Sequence, residues 1–290
     1  PFLCCKFIGC SALCNTDCIT FTTGGILVMI TQMQNLTDAE HAILNQTWRG
    51  KKILSYLQAY GFDYEFCRSF RLTEGEKTGW MLLFNATLLI CAEQPVALEE
   101  TKTFVEMHLP FRIECPASFL PTLATLPNYQ KLRRTMFVLT PQPVSEEFQP
   151  EAVQKQPDLT AVYQILHEGF PNLLSYPLWL TDTSHRCRHG ISQVLTYRDS
   201  TTVTILFDIE NHVLVGQVAT CAAARGSGYA RDFLHWLANQ LQQQGKYAVL
   251  YALDIRVSFY QEIGFQAADT EWILERSDIE KEDVTKGALQ

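Results

Sequence analysis

Arg225-Gly226-Ser227-Gly228-Tyr229-Ala230 joins an apolar run to an amphipathic one, and the reading of that junction decides the fold. Before it, Val213, Leu214, Val215, Val218 and Ala219 predict a strand over His212 to Thr220. After it, Tyr229, Ala230, Phe233, Leu234, Leu237, Ala238 and Leu241 recur at helical spacing, and Gly245 stops the helix. Two glycines let backbone come close to a ligand. The first helical turn aims N–H groups without intrahelical partners, and the positive dipole end, at the same point. Such a junction suits an anion. Tyr247 to Leu253 then reads as a buried strand, with Asp254 as the expected N-cap of a short helix holding Phe259 and Tyr260. A Walker loop would need Gly-Lys-Ser/Thr, and a dinucleotide fingerprint a glycine where Arg231 stands. The plainer alternative is a tight strand-to-helix turn without a ligand.

Two patterns about thirty residues apart resemble the GNAT acyl-CoA-dependent N-acetyltransferases. The pyrophosphate-loop pattern Gln/Arg-x-x-Gly-x-Gly/Ala is met by Arg225, Gly228 and Ala230. An aromatic-Tyr pair followed after three residues by Gly-Phe is met by Phe259-Tyr260 and Gly264-Phe265. The resemblance spans roughly Asp158 to Arg276. It implies an α/β (α+β) fold, a mixed and mostly antiparallel twisted sheet flanked by helices. It also implies acetyl-CoA as acyl donor, held by Arg225, Gly226, Ser227, Gly228, Tyr229 and Ala230. The backbone of Val218, Ala219 and Thr220 would pair with the pantetheine arm at a splayed strand end, and Tyr260 would protonate the departing thiolate. The implied activity moves an acetyl group to an amine of a small molecule or peptide. The alternative from another class is a CoA-binding sensor or interaction protein that does not transfer. For Tyr260, the plainer role is an aromatic filling the core beside Phe259.

A lysine-like amine with a pKa near 10.4 is mostly charged at neutral pH, and deprotonating it costs roughly 4 to 5 kcal/mol. A base would help, yet no carboxylate occupies His212 to Thr220, where Gln217 lies; Asp208 and Glu210 sit on the preceding strand and turn. Polar chemistry is dense in Asp182 to Gly190. That segment borders the acceptor cleft in the fold the resemblance implies, so His185, Arg186, Arg188 and His189 are candidate acceptor residues, binding an acidic group or relaying a proton. The alternative is a solvated loop, or a helix end whose arginines complement its dipole. His-x-Cys-x-His there fits no usual zinc ligand spacing, so no metal is expected.

The 290 residues suffice for two domains, and 47% apolar with 19% charged residues describe a globular protein. A formal net charge of -8 argues against nucleic acid as a partner. Cys67, Cys91, Cys115, Cys187 and Cys221 are scattered singly, as in reduced cytoplasmic proteins. After the opening segment, no run approaches the roughly 20 apolar residues of a membrane span. Residues 1–28, with Cys4, Cys5, Cys10, Cys14 and Cys18, are expected to be a leader translated upstream of a natural start at Met29.

A Pro-rich linker over 141–157 is expected to divide an N-terminal α+β domain, 29–140, from the acetyltransferase domain, 158–277, with an acidic tail over 278–290. One helical pattern runs from Thr37-Asp38 and Glu40 to Gly61. Strands over Tyr64–Leu72, Gly79–Phe84 and Thr87–Cys91 follow, then a helix over Leu98–His108 and strands at Phe111–Cys115 and Thr135–Leu139. After the linker come a helix at Leu159–Leu166, strands at Ile191–Tyr197, Val203–Ile209 and His212–Thr220, and closing strands in Phe265–Leu274. The shared order suggests that the first half is a degenerate GNAT-like copy. Its equivalent turn, Ala92-Glu93-Gln94-Pro95, has no glycine and carries Glu93, so it cannot cradle phosphates.

Overall fold

The structure, a computed structural model, describes residues 18–23, 26–170 and 172–277. The remainder of the expected leader and the acidic tail lie outside the described residues. Strands β1 (Cys18–Thr23) and β2 (Ile26–Gln32) form an antiparallel hairpin. The boundary expected at Met29 therefore falls inside a strand, because Val28 and Ile30 both point into the core. Thr37 starts α1 (Asp38–Leu44) with a reciprocal box: the Glu40 N–H donates to Thr37 Oγ1, and the Thr37 N–H donates to the Glu40 carboxylate at 3.0 Å. The single helix expected up to Gly61 is in fact two. Thr47 caps a second, α2 (Trp48–Tyr60), by accepting the Gly50 N–H at 3.0 Å, and the Leu44 backbone lies so close to Gly50 that a Cβ there would be 1.9 Å from the Leu44 oxygen. Periodicity continues across this break, which is why the pattern concealed it.

A meander of β3 (Cys67–Glu74), β4 (Lys77–Phe84) and β5 (Thr87–Ala92) follows, then α3 (Leu98–His108), β6 (Arg112–Glu114), α4 (Leu120–Leu123) and β7 (Tyr129–Val138). The second half repeats the order. It has β8 (Val153–Gln154), α5 (Leu159–Gly169), α6 (Tyr176–Arg188), then β9 (Gln193–Tyr197), β10 (Thr201–Ile209) and β11 (His212–Thr220). It closes with α7 (Tyr229–Gln243), β12 (Tyr247–Leu253), α8 (Asp254–Glu262) and β13 (Gln266–Arg276). Asp254 is the first residue of α8 rather than its cap; Leu253 holds the cap position. The closing region is one strand.

All thirteen strands join one sheet in the order β1-β2-β3-β4-β5-β6-β13-β7-β12-β11-β10-β9-β8. The first half contributes four antiparallel pairings and the second half three, and each has one parallel pairing, β5 with β6 and β11 with β12. The halves then exchange their last strands: β13 lies between β6 and β7, and β7 lies between β13 and β12. In place of two separate sheets there is a continuous one. Part of the expected linker also belongs to the body, since Phe148 is buried and Val153–Gln154 forms the edge strand.

Alternation along the strands gives each face its own core. On one face α7 covers Val203, Val213, Val215 and Leu250, while α3 covers Phe70, Leu72, Met81 and Ile90. On the other, α5 and α6 pack on Val194 and Ala219, and α1 and α2 cover a core drawn from both halves, including Trp80, Leu82, Phe207, Leu214 and Val249. Beneath α2 a buried ion network crosses the exchanged strands. Glu114 of β6 meets Lys52 at 2.8 Å and Arg134 of β7 at 2.6 Å; Arg134 also meets Glu271 of β13, which pairs with Arg49 at 2.7 Å. Burial alone would raise the Glu114 carboxyl, but Arg134 and Lys52 outweigh it and hold it well below the usual carboxylate range.

Candidate active site

The parallel pairing of β11 with β12 covers only His212–Val215 against Tyr247–Leu250. Beyond it β11 continues beside β10, and β12 continues beside β7, so the two strands part and each leaves one backbone edge unpaired. Where they part, β11 is bulged: between the pairs Thr204↔Gly216 and Thr202↔Ala219, Gln217 and Val218 together face Val203, and Gln217 has φ 50. The glycine in the strand was the sequence signal for this bulge. Val218, Ala219 and Thr220 lie on the free stretch, where a splayed end was expected.

Past the strand, a short 3-10 turn leads to Gly226 and Gly228, with φ 84 and 74. Gly226 has open space around its Cα, so its requirement is conformational. Gly228 caps α7 with no side-chain bond, leaving the N–H groups of the first turn to an external partner. Arg225 turns back, donating to Thr220 O at 3.1 Å and Glu168 O at 3.3 Å. Arg231 pairs with Asp232 at 2.9 Å beside the turn. The donor set fits a diphosphate: backbone N–H groups, a helix N-terminus and two arginines.

The matching turn in the first half is closed. Glu74 accepts the Ala97 N–H at 3.0 Å where α3 begins, so a carboxylate of the chain already takes the place of an external anion. Val96 and Ala97 are fully buried, and a Cβ on Gly79 would lie 2.9 Å from Val96.

Tyr260 lies on α8, 8% exposed, with its ring beside Phe137 at 5.5 Å and Phe265 at 6.4 Å. Burial pushes its phenol up to about 12, so protonating a thiolate near 8.5 is uphill by roughly 5 kcal/mol unless a ligand changes that environment.

Of the four candidate acceptor residues, His185, Arg186 and Arg188 lie in α6 and His189 is its C-cap, and they divide. Arg188 and His189 are exposed at its C-terminal end, where they complement the dipole. His185 stacks on Tyr60 at 4.5 Å and hydrogen-bonds Ala59 O at 2.7 Å. Of these four, Arg186 alone lines a cavity of about 350 Å³ between α2 and α6, which Gln217 of the bulge also lines. Lys52, Tyr56, Phe84 and Arg112 of the first half and Asp182 of α6 line it too. No sequence motif marks the first-half residues, since they come together only when α2 lies across the second half's strands. Gln217 accepts from Thr204 Oγ1 at 3.0 Å on that face.

No family model and no curated protein matches this sequence. Solved structures do. A GCN5-related N-acetyltransferase from Sphaerobacter thermophilus aligns over 80% of this chain and 87% of its own at 17% identity, TM-score 0.53. A GNAT acetyltransferase from Colwellia psychrerythraea aligns over 85% and 98% at 16% identity, TM-score 0.50. The chain has the GNAT fold. The alignments run through both halves, as does one to a Drosophila protein covering 83% of this chain and 97% of its own at 10% identity, TM-score 0.56. No helix among the described residues is long and apolar enough to cross a membrane.

Proposed function

We propose that this GNAT-fold chain is an N-acetyltransferase that takes an acetyl group from acetyl-CoA and passes it to an amine of a small molecule or peptide. One observation carries this reading: β11 and β12 part beyond Val215 and Leu250, directly before a two-glycine turn at the N-terminus of α7. The first-turn N–H groups of α7, with Arg225 and Arg231, would hold the diphosphate of the donor. The free edge of Val218–Thr220 would pair with its pantetheine arm, and one of those N–H groups supports the oxyanion. The donor supplies an activated acyl group. Gln217 at the bulge orients the acceptor amine by its carboxamide, Asp182 is, among the described residues, the one carboxylate lining the same cavity, and Tyr260 holds a proton for the thiolate. The closed turn of the first half leaves one donor per chain. Cys67, Cys91 and Cys115 are buried free thiols, which favours the reducing cytoplasm as the setting.

Calorimetry with acetyl-CoA tests the donor site. Binding of one equivalent is expected, and Gly228→Val should abolish it, because a β-branched residue resists φ 74 and its side chain would enter the space before α7. Normal affinity in that variant would count heavily against the loop. Tyr260→Phe should keep donor binding and slow thiol release over an amine panel. Donor binding with no release on any amine would favour the sensor reading instead.

A further inference from the structure

We propose that the cavity between α2 and α6 selects an amine that also carries an acidic group, held by Arg186, with the first half of the chain as its far wall. The inference rests on the transferase reading and names the acceptor class of the same site. Arg186 is 6% exposed. Its Nε donates to Ser192 Oγ at 3.1 Å, and Nη2 donates to Leu206 O at 2.8 Å and more weakly to Ser55 Oγ. Among the described residues Nη1 has no hydrogen-bond partner, and no carboxylate comes within 4.0 Å of the guanidinium. Its Cζ lies 4.6 Å from the centroid of the Tyr56 ring, on α2 of the first half.

A buried cation without a counter-ion is costly, and the other cations lining this cavity have one: Lys52 meets Glu114 at 2.8 Å, and Arg112 meets Glu275 at 2.5 Å. An anionic group on the ligand supplies the charge that Arg186 lacks, and guanidinium suits a planar carboxylate. Asp182, four residues earlier on the same helix, lines the cavity but accepts the Tyr60 hydroxyl at 2.5 Å and makes no ion pair with Arg186. It gives the cavity a second pole of opposite sign, about 6 Å along the helix axis. An amine and an acid on one small molecule match the two poles. A volume of about 350 Å³ suits such a molecule, and Tyr56, Phe84 and Phe207 give its body an aromatic wall.

The test uses the full chain, acetyl-CoA and acceptor pairs that differ only by a carboxylate: phenethylamine and phenylalanine, agmatine and arginine, cadaverine and lysine. Thiol release should give kcat/KM at least about tenfold higher for the carboxylated member, the worth of one charge-assisted contact. Equal or reversed values within the pairs overturn the proposal. Arg186→Lys should bring the ratio toward one, mainly by raising KM for the carboxylated amines, and an unchanged ratio overturns it. Should that variant fail to fold, Tyr56→Leu, which removes the ring under the guanidinium, should raise the same KM several-fold. Calorimetry with CoA on the same sample separates the two claims. No heat removes the transferase reading itself; heat with plain amines preferred removes only the acceptor assignment; heat with release from neither member of any pair removes both.

Discussion

Glu40 ties three parts of the first half together. Its carboxylate takes Arg71 Nε at 2.6 Å, Trp80 Nε1 at 3.2 Å and the Thr37 N–H at 3.0 Å. Burial would raise this carboxyl, but the bonds from Arg71, Thr37 and Trp80 outweigh it and lower its pKa from 4.5 to about 2. The folded value lies below the unfolded one, so the stabilisation is fully present above the unfolded pKa and is lost as pH falls from 4.5 toward 2. Allowing for solvent screening, Glu40→Gln should cost on the order of 2 kcal/mol at pH 7 and much less near pH 2.5. Thermal unfolding of both proteins at the two pH values checks this; an equal difference at both would remove the titration as its cause. Tyr260 poses the opposite problem, a phenol that burial makes a weaker acid, so the proton-donor role proposed for it requires a bound ligand to change that environment.

At the scale of elements, the break between α1 and α2 rests on one glycine. The Leu44 carbonyl occupies the place a Cβ on Gly50 would take, and backbone cannot move aside as a flexible side chain can. Gly50→Ala should therefore cost about 2 kcal/mol or more, although alanine is the better helix former. A midpoint shift in urea measures it, and an unchanged or higher midpoint would show that the helices can reseat. The reverse holds at Gly226, where nothing crowds the Cα and only φ 84 demands glycine. On β11 a single extra residue at Gln217 lies where the strand leaves its parallel neighbour, and the Gln217 side chain lines the cavity between α2 and α6. The parted strands and the cavity between α2 and α6 thus meet at one irregularity.

The whole molecule is held by the exchange of β7 and β13. Each half's sheet is completed by a strand from the other, and Glu114, Arg134 and Glu271 lock the exchange from three adjacent strands. Calorimetric unfolding should show a single transition despite the internal repeat. Arg134→Met should lower it as a whole, by about 3 kcal/mol or more, because the buried Glu114 and the partly buried Glu271 lose their common partner. Two separable transitions in either protein would mean that the halves fold independently. The exchange also sets α2 of the first half over β10 and β11 of the second, which makes the first half a wall of the cavity between α2 and α6.

Local chemistry is what the sequence determined by itself. The glycine turn, the amphipathic α7, the strands at Tyr247–Leu253 and His212–Thr220, the Thr37 cap and the Leu98–His108 helix follow from periodicity, caps and positive φ, which neighbours in the chain decide. The repeated order of elements was legible for the same reason. Tertiary structure alone decided which strand pairs with which. The exchange of β7 with β13 depends on contacts between residues more than a hundred positions apart, and apolar alternation looks the same whichever neighbour a strand acquires. The same holds for Arg186. Its sequence neighbours are polar and suggest a solvated segment; only the packing of α2, β10 and α6 buries it, strips it of a carboxylate and turns it toward a cavity.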